Sequence, residues 1–382
     1  MKILNINKED FFLNHFEKNF YFKKNAISTI DITWSDIDEI LYGWNVEEGL
    51  IHMYKDGKVD PSLYTRDFYD VGMYRKVILK DTFNELMFNG ATLVLNRIDI
   101  KSTKINKLTK IISHFVKEKT VANGYIAVGG NGTFAKHWDT HDVFAIQLLG
   151  KKRWKLFAPT FPFPLKHQTS KEHKHECPTT PEFDEILEAG DVLYIPRGWW
   201  HEAIPIESQE TFHIAVGVHT AHITDYLSWC IANILSNEEN FRHRVRAESV
   251  DNLKNISLLT KLVNKDNFKI FQEQILSQDK TVSPFNISKI VNIITGKEKT
   301  KTDSVLLPNT SYDLCNLNEN HIINGIKISV DKSSKIIFDL MNDCLITKNE
   351  LVNILSNGDI SQKEKISKLI DHLIINDIIS EI

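Results

Sequence analysis

The sequence predicts a mainly β core, a barrel that carries a metal site, flanked by helices and followed by an α-helical segment and a C-terminal three-helix module. Three observations predict it. Residues 121–128, 143–149, 152–157 and 211–218 are runs rich in branched and aromatic residues, set off by turn residues, which is the pattern of strands. The stretch from His137-Trp138-Asp139 to Arg197-Gly198-Trp199-Trp200-His201 opens and closes on residues that ligate metals. From about residue 221 the apolar spacing becomes helical.

The spacing of the polar residues carries the chemistry. Side chains alternate across a strand, so His137 and Asp139 share a face, about 7 Å apart at Cα. His201 follows a Gly-Asp turn and a Pro-Arg-Gly turn and sits at the mouth of another strand. Two His and one carboxylate with open positions suit non-haem Fe(II), whereas zinc would favour a third His or a Cys. A bare His-x-Asp also occurs as a surface ion pair; the surrounding pattern favours the metal.

Composition bounds the rest. The chain has 382 residues and a net charge of −4, which is room for two or three domains and no overall pull towards nucleic acid or an anionic membrane. Cys177, Cys230, Cys315 and Cys344 have no C-x-x-C spacing, which fits reduced thiols in a cytoplasmic protein. Lys8 interrupts the N-terminus before a signal-peptide core forms, and no apolar run has the length of a membrane span.

In chain order, Phe12, Phe16 and Phe20 recur every four residues and predict a helix over 9–24. Ser35 or Asp36 is expected to cap a second helix. Val77 to Lys80 and Ala91 to Leu95 read as strands, and Lys104 to Lys117 as a helix. Asn123 and Tyr125 share a strand face. Gly129 to Gly132 is a turn that delivers the chain to His137. Gly150-Lys151-Lys152 reads as a hairpin turn between two strands. In the second, Lys152, Trp154 and Leu156 alternate onto one face, so Lys152 points into the barrel, where an ammonium needs an anion; the alternative is a solvated Lys152 at the hairpin tip. His167, His173, His175 and Cys177 lie in a polar stretch that reads as a solvated loop rather than a second metal tract. His213 shares a face with Ala215 and either faces the pocket or is a satisfied core histidine, the second being the favoured reading. Arg242 to Arg246 reads as a solvated helix face, and 300–312 as a linker. The three C-terminal helices (334–343, 347–355 and 361–376), with the tail Ile378-Ile379, suggest a winged-helix module. Residues 331–382 hold six Lys, no Arg and nine Asp plus Glu, the wrong sign for phosphate, so nucleic acid is not the expected partner and protein contact is.

Asn123-Gly-Tyr125, His137-Trp-Asp139, Asp142-Val-Phe144, Gln147-Leu148, Gly150-Lys-Lys152-Arg-Trp154 and Pro196-Arg-Gly-Trp-Trp-His201 together resemble the JmjC-type cupins, and among them the ribosomal oxygenases. The resemblance implies a double-stranded β-helix binding Fe(II) through His137, Asp139 and His201. It implies 2-oxoglutarate as cosubstrate, with Lys152 on its far carboxylate, Tyr125 assisting and Asn123 nearby, and O2 as the oxidant. The expected reaction hydroxylates a protein or peptide side chain and releases succinate and CO2. The alternatives are the same chemistry on a small metabolite, a demethylation or desaturation outcome, and a non-catalytic interaction protein. The resemblance sets a catalytic domain at 1–220, a helical homodimerisation segment at 221–300 and a winged-helix domain at 301–382. Trp138 stands where the family often has Tyr, and Trp199-Trp200 is bulkier than a ribosomal-protein site would suggest. These three Trp are expected either to line the substrate entrance or to pack the barrel.

Overall fold

The computed structural model describes residues 3–28, 31–130, 134–244, 261–296, 304–313, 320–329 and 332–382. They fall into two compact units, Met1–His219 and Thr220–Ile382.

The first unit is built on antiparallel strands: β1 (Tyr21–Lys23), β2 (Ile51–Tyr54), β3 (Thr65–Asp70), β4 (Met73–Ile78), β5 (Thr92–Leu95), β6 (Lys119–Val128), β7 (Asp142–Phe157), β8 (Phe183–Glu188), β9 (Val192–Ile195), β10 (Trp200–Pro205) and β11 (Glu210–His219). The main sheet runs β1-β9-β7-β11-β6-β5-β2, and β8 and β10 pair with β7 off that path. β3 and β4 form a separate hairpin.

β7 is the spine. Its first half pairs with β9 and β11, and its second half, from Lys151, with β8 and β10. One strand thus serves both walls of the barrel. Gly150 is therefore not a hairpin turn, and Lys152 is not at a tip. Instead the ladder slips here: Phe212 pairs with Leu149 but His213 with Gln147, leaving Leu148 as an extra residue, a β-bulge. Leu148 and Leu149 both pack on the larger core, with Phe144 and Ile146. Beyond the slip the parity of β7 is inverted. Val143 lines the barrel interior before it, and Lys152 and Trp154 line the same interior after it.

Several expected elements differ. The first helix is only Lys8–Asn14, capped by Asn7, and its buried residue is Phe11. Phe12 and Phe16 are half-buried against the same core, and Phe20 packs on a smaller one. Tyr21–Lys23 leaves the helical pattern to pair with Val192–Tyr194, because strand pairing outweighs a weak helical preference. The second helix is capped by Thr33, whose hydroxyl accepts from the Asp36 amide in a reciprocal capping box. The helix Thr103–Val116 lies where its periodicity puts it and buries Ile105, Leu108 and Ile112.

The second unit has helices at Ile223–Asn233, Lys265–Gln278 and Ile287–Thr295. Tyr226, Cys230, Leu262 and Phe271 form a small core. The end of the expected linker is a strand, Val305–Pro308, which pairs with Ile346–Thr347 and Ile379–Glu381. The helices Lys332–Asp343, Lys348–Ser356 and Ile360–Ile375 contribute Phe338, Met341, Leu351 and Ile370 to a core shared with Leu306. Arg242 to Arg244 include exposed residues, while the rest of that basic cluster lies outside the described residues.

Gly150 has φ +62°, and a Cβ there would overlap the carbonyl oxygen of Glu210. Gly150→Ala is expected to cost about 3 kcal/mol or more, since it combines left-handed strain with a backbone clash in the spine strand. A urea melt showing a shift of less than a third of that would mean that the bulge tolerates a side chain.

Candidate metal centre

His137, Asp139 and His201 come together at the mouth of the barrel, their ligand atoms all within 4.8 Å of one another. It is the one such cluster among the described residues. The backbone brings them there. His137 and His201 form an isolated antiparallel bridge, the His201 amide donating to the His137 carbonyl at 2.7 Å and the His137 amide to the His201 carbonyl at 3.1 Å. The Gly198 amide donates to the Asp139 carbonyl at 3.0 Å. His137 and Asp139 therefore owe their position to this bridge and loop, not to a regular strand. Gly198, at φ +85°, lets the chain pass where a Cβ would come within 2.6 Å of the Phe161 carbonyl oxygen.

Asp142 ties the loop to the spine. Its carboxylate accepts from the Tyr194 hydroxyl and from the Arg197 amide at 2.9 Å. β9 and the Pro196–Gly198 turn are thereby fixed to the start of β7.

The donor set fits a dication. Nδ1 of His137 lies 2.9 Å from the Ala135 carbonyl oxygen, and Nδ1 of His201 lies 3.1 Å from that of Trp199. Each Nδ1–H donates to a carbonyl, which leaves Nε2 with its lone pair facing the other ligands. Nε2 of His137 is 4.0 Å from Asp139 Oδ1, and Nε2 of His201 is 3.6 Å from Oδ2. Burial pushes the His201 imidazole down to about 4, so it is neutral at pH 7. Burial pushes the Asp139 carboxyl up, but His201, His137 and His141 together hold it below its ordinary range. Two imidazoles and one carboxylate in one cluster, beside an open cavity, match the donor set of non-haem Fe(II).

Behind the cluster is a cavity of about 270 Å³, bounded by Tyr125, Val143, Lys152, Trp154, His213 and Ala215. Lys152 is 2% exposed, and its ammonium has no hydrogen bond or ion pair among the described residues. Burial pushes it down to about 7. Tyr125 is raised by burial. Asn123 lies outside the cavity lining; its Oδ1 accepts from the Arg97 amide at 3.0 Å, and its side chain bonds Tyr125. His213, expected as a satisfied core histidine, instead lines the cavity, and its buried Nδ1 has no partner.

A second, more open groove of about 350 Å³ shares Phe134, His137 and Asp139 with the cavity and continues along Lys136, Trp138, Gln168 and Lys171. Trp138 thus borders the centre while its ring stacks on Phe161 at 5.6 Å. Trp199 and Trp200 line neither space. Trp199 packs edge-on to Phe20, and Trp200 is fully buried, its indole N–H donating to Thr160. The entrance reading is corrected for these two: Trp199, just before β10, and Trp200, its first residue, pack into two different apolar clusters. His173 pairs with Glu176 at 2.8 Å in a short helical turn, Ser170–Glu176.

The antiparallel barrel with a two-His, one-Asp cluster at its mouth has the architecture and donor set of a mononuclear metal site. Residues 94–226 match the JmjC domain family. The bifunctional lysine-specific demethylase and histidyl-hydroxylase NO66 of Drosophila mojavensis is 37% identical over 117 residues, 30% of this chain and 13% of that protein. Its Drosophila erecta counterpart is 30% identical over 196 residues, 48% of this chain and 27% of that protein. The chain thus spans only a minor part of these relatives' length. The Escherichia coli ribosomal oxygenase YcfD has the same fold, with a TM-score of 0.58 and 17% identity, covering 99% of both chains. A YcfD structure in complex with cobalt and 2-oxoglutarate aligns at a TM-score of 0.57 and 17% identity, over 98% of both chains.

The buried lysine makes a stability prediction. Its ammonium is held well below the ordinary value of 10.5, so between about 7 and 10.5 the unfolded chain binds the proton that the folded chain has released. Stability from this group is therefore lowest below pH 7 and rises towards pH 10. Lys152→Met is expected to be more stable than wild type at pH 6.5, by roughly 2–4 kcal/mol, with the gap closing by pH 10. Melting temperatures across that range, without added ligand, check it; a gap independent of pH would contradict it.

Proposed function

We propose that the protein is an Fe(II)- and 2-oxoglutarate-dependent oxygenase that hydroxylates a protein or peptide side chain. The observation that carries the reading is one cavity with a two-His, one-carboxylate cluster at its mouth and an uncompensated ammonium in its wall. A ligand that chelates a metal at one end and carries a carboxylate at the other answers both features. Fe(II) and 2-oxoglutarate, when bound, supply the O2-dependent oxidation that yields succinate, CO2 and a hydroxylated product.

The chain's own residues do the rest. His137, Asp139 and His201 hold one face of the metal and leave the opposite face open. Lys152 pairs with the far carboxylate in a site dry enough for the pair to be strong. Tyr125, steadied by Asn123, flanks it. Val143, Trp154 and Ala215 exclude water, so that oxidation is directed at the substrate.

The open groove beside His137 and Asp139 favours an extended peptide over an enclosed metabolite. Trp138 borders this groove and is the one of the three Trp retained as a substrate contact. The relatives point the same way, one being named a histidyl-hydroxylase and the other a ribosomal oxygenase.

The finer assignments belong to the same proposal. Three helices beside a three-stranded antiparallel sheet support a winged-helix module at the C-terminus. A homodimer through the helical segment is supported by Phe285, Ile287 and Ile294, which are 94%, 61% and 78% exposed. Ile294→Asp is expected to shift the protein to monomer in sedimentation; an unchanged sedimentation coefficient would argue against this face. A cytoplasmic setting is consistent with Cys177 and Cys230 being free thiols. No helix among the described residues is long and apolar enough to cross a membrane.

The test of the activity is succinate release from 2-oxoglutarate with Fe(II) and O2, first without any prime substrate. Wild type is expected to turn over slowly, and His201→Ala to fall by roughly 100-fold or more, because a lost ligand costs at least as much as a lost outer-shell partner. Wild type that binds neither Fe(II) nor 2-oxoglutarate in a thermal-shift titration would leave the non-catalytic reading. Mass spectrometry of peptides and metabolites after incubation separates the substrate classes.

A further inference from the structure

The closed end of the barrel holds more polar chemistry than the cosubstrate reading has used. His213 is 2% exposed and lines the cavity with Lys152 and Tyr125. Neither of its ring nitrogens is hydrogen-bonded to a described residue, and Nδ1 is wholly buried without a partner. Buried polar groups are nearly always paired, so an unpaired ring facing a cavity asks for a ligand atom.

The ring is also held in place. It stacks on Tyr125 with centroids 4.9 Å apart and planes 6° apart. Trp154 meets it edge-on at 5.2 Å, with planes 83° apart. Its Cα is in register with Tyr125 on β6 and with Gln147 on β7, at the point where the ladder slips. Bulges re-aim side chains, and this one brings Lys152 into the interior that His213 already faces. A ring clamped on two sides loses little freedom when a ligand arrives, which is what a preorganised binding group requires.

We propose that His213 donates a second hydrogen bond to the carboxylate that Lys152 pairs with, so that the two residues together select a 2-oxo acid carrying a far carboxylate. The inference rests on the cosubstrate reading above. Burial and the neighbouring Lys152 charge hold His213 well below its ordinary range, so the ring is neutral and carries one N–H. One ammonium and one neutral donor then meet a single negative charge, with no excess charge left buried.

The experiment uses the whole chain loaded with Mn(II), a redox-silent stand-in for the metal. Calorimetry compares the binding of 2-oxoglutarate with that of 2-oxobutyrate, which keeps the chelating end and lacks the far carboxylate. His213→Phe keeps the stacking and removes the donor. It is expected to weaken 2-oxoglutarate at least about tenfold, the loss of a hydrogen bond to a charged group, while 2-oxobutyrate and Mn(II) bind as in wild type. His213→Gln, which restores a donor, is expected to recover most of the loss. Unchanged 2-oxoglutarate affinity in His213→Phe, or an equal loss for both acids, overturns the proposal. Where His213→Phe does not fold, ¹⁵N signals of the wild-type His213 ring, recorded with Zn(II), serve instead. They are expected to move with 2-oxoglutarate and not with 2-oxobutyrate, and no movement overturns the proposal. Lys152→Ala separates the two levels. Loss of 2-oxoglutarate binding there, with none in His213→Phe, removes this inference and keeps the cosubstrate reading. Wild type that binds no 2-oxoglutarate removes both.

Discussion

A single strand, β7, builds both walls of the barrel, and the site depends on the one-residue slip in its ladder. Up to Gly150 it pairs with β9 and β11, and from Lys151 with β8 and β10. A strand in strict alternation would keep one parity throughout. Val143 faces inward, so Lys152 would then face outward. The extra residue at Leu148 and the left-handed Gly150 invert the parity, and Lys152 turns in. His213, held in register by the unbroken ladder to β6, faces the same interior. A backbone irregularity of one residue therefore gathers the polar groups of the closed end. That explains why a glycine is required at a position whose side chain would touch no ligand.

The gathered charge has a cost in the ligand-free protein. Burying an ammonium without a counter-ion is unfavourable, and the fold pays for it with the large apolar core that wraps β7. The metal end is arranged differently. His137 and His201 each give Nδ1–H to a backbone carbonyl, so the unmet groups are lone pairs rather than charges. One end of the cavity therefore presents a stranded cation, and the other a set of donor atoms with one negative charge. A ligand with a carboxylate at one end, bridged by a metal at the other, relieves both ends at once. This electrostatic asymmetry supports the cosubstrate reading more strongly than cavity size, because size alone would admit many molecules.

What the sequence disclosed followed from rules that act over short distances. His137, Asp139 and His201 were legible as residue types with metal chemistry, and Lys152 as sharing a face with Trp154 and Leu156. The route by which they meet was not. His137 and Asp139 are brought to His201 by a two-residue bridge and one Gly198 hydrogen bond, contacts between segments some sixty residues apart. The motif Gly150-Lys151-Lys152 reads as a turn because glycine followed by lysines usually is one, and only the partners of β7 reveal a bend within a strand. His213 is ambiguous in the sequence for a similar reason. Its alternation with Ala215 fixes a face but does not say whether that face meets core or cavity. Phe12, Phe16 and Phe20 have helical spacing, yet the edge of β9 draws Tyr21–Lys23 into the sheet. In each case a pairing partner distant in sequence decided the outcome.

The division of the site into a closed cavity and an open groove has a consequence for specificity. Both spaces share Phe134, His137 and Asp139, but otherwise have different walls. The cavity is made from β6, β7, β10 and β11, whose register is fixed by continuous ladders. The groove is made from the segment 134–141 and the loop segment at Gln168–Lys174, which carry far fewer ladder hydrogen bonds. Loops tolerate change that paired strands do not. The cavity therefore rests on paired strands and the groove on loops, the two meeting at Phe134, His137 and Asp139. The match to the JmjC domain spans both the fixed strands and the variable loop, whereas the sequence relatives share only a minor part of their length with this chain. Common chemistry at the metal therefore does not carry a common substrate with it. On the function proposed above, substrate identity is read by the groove residues, among them Trp138, Lys136 and Lys171.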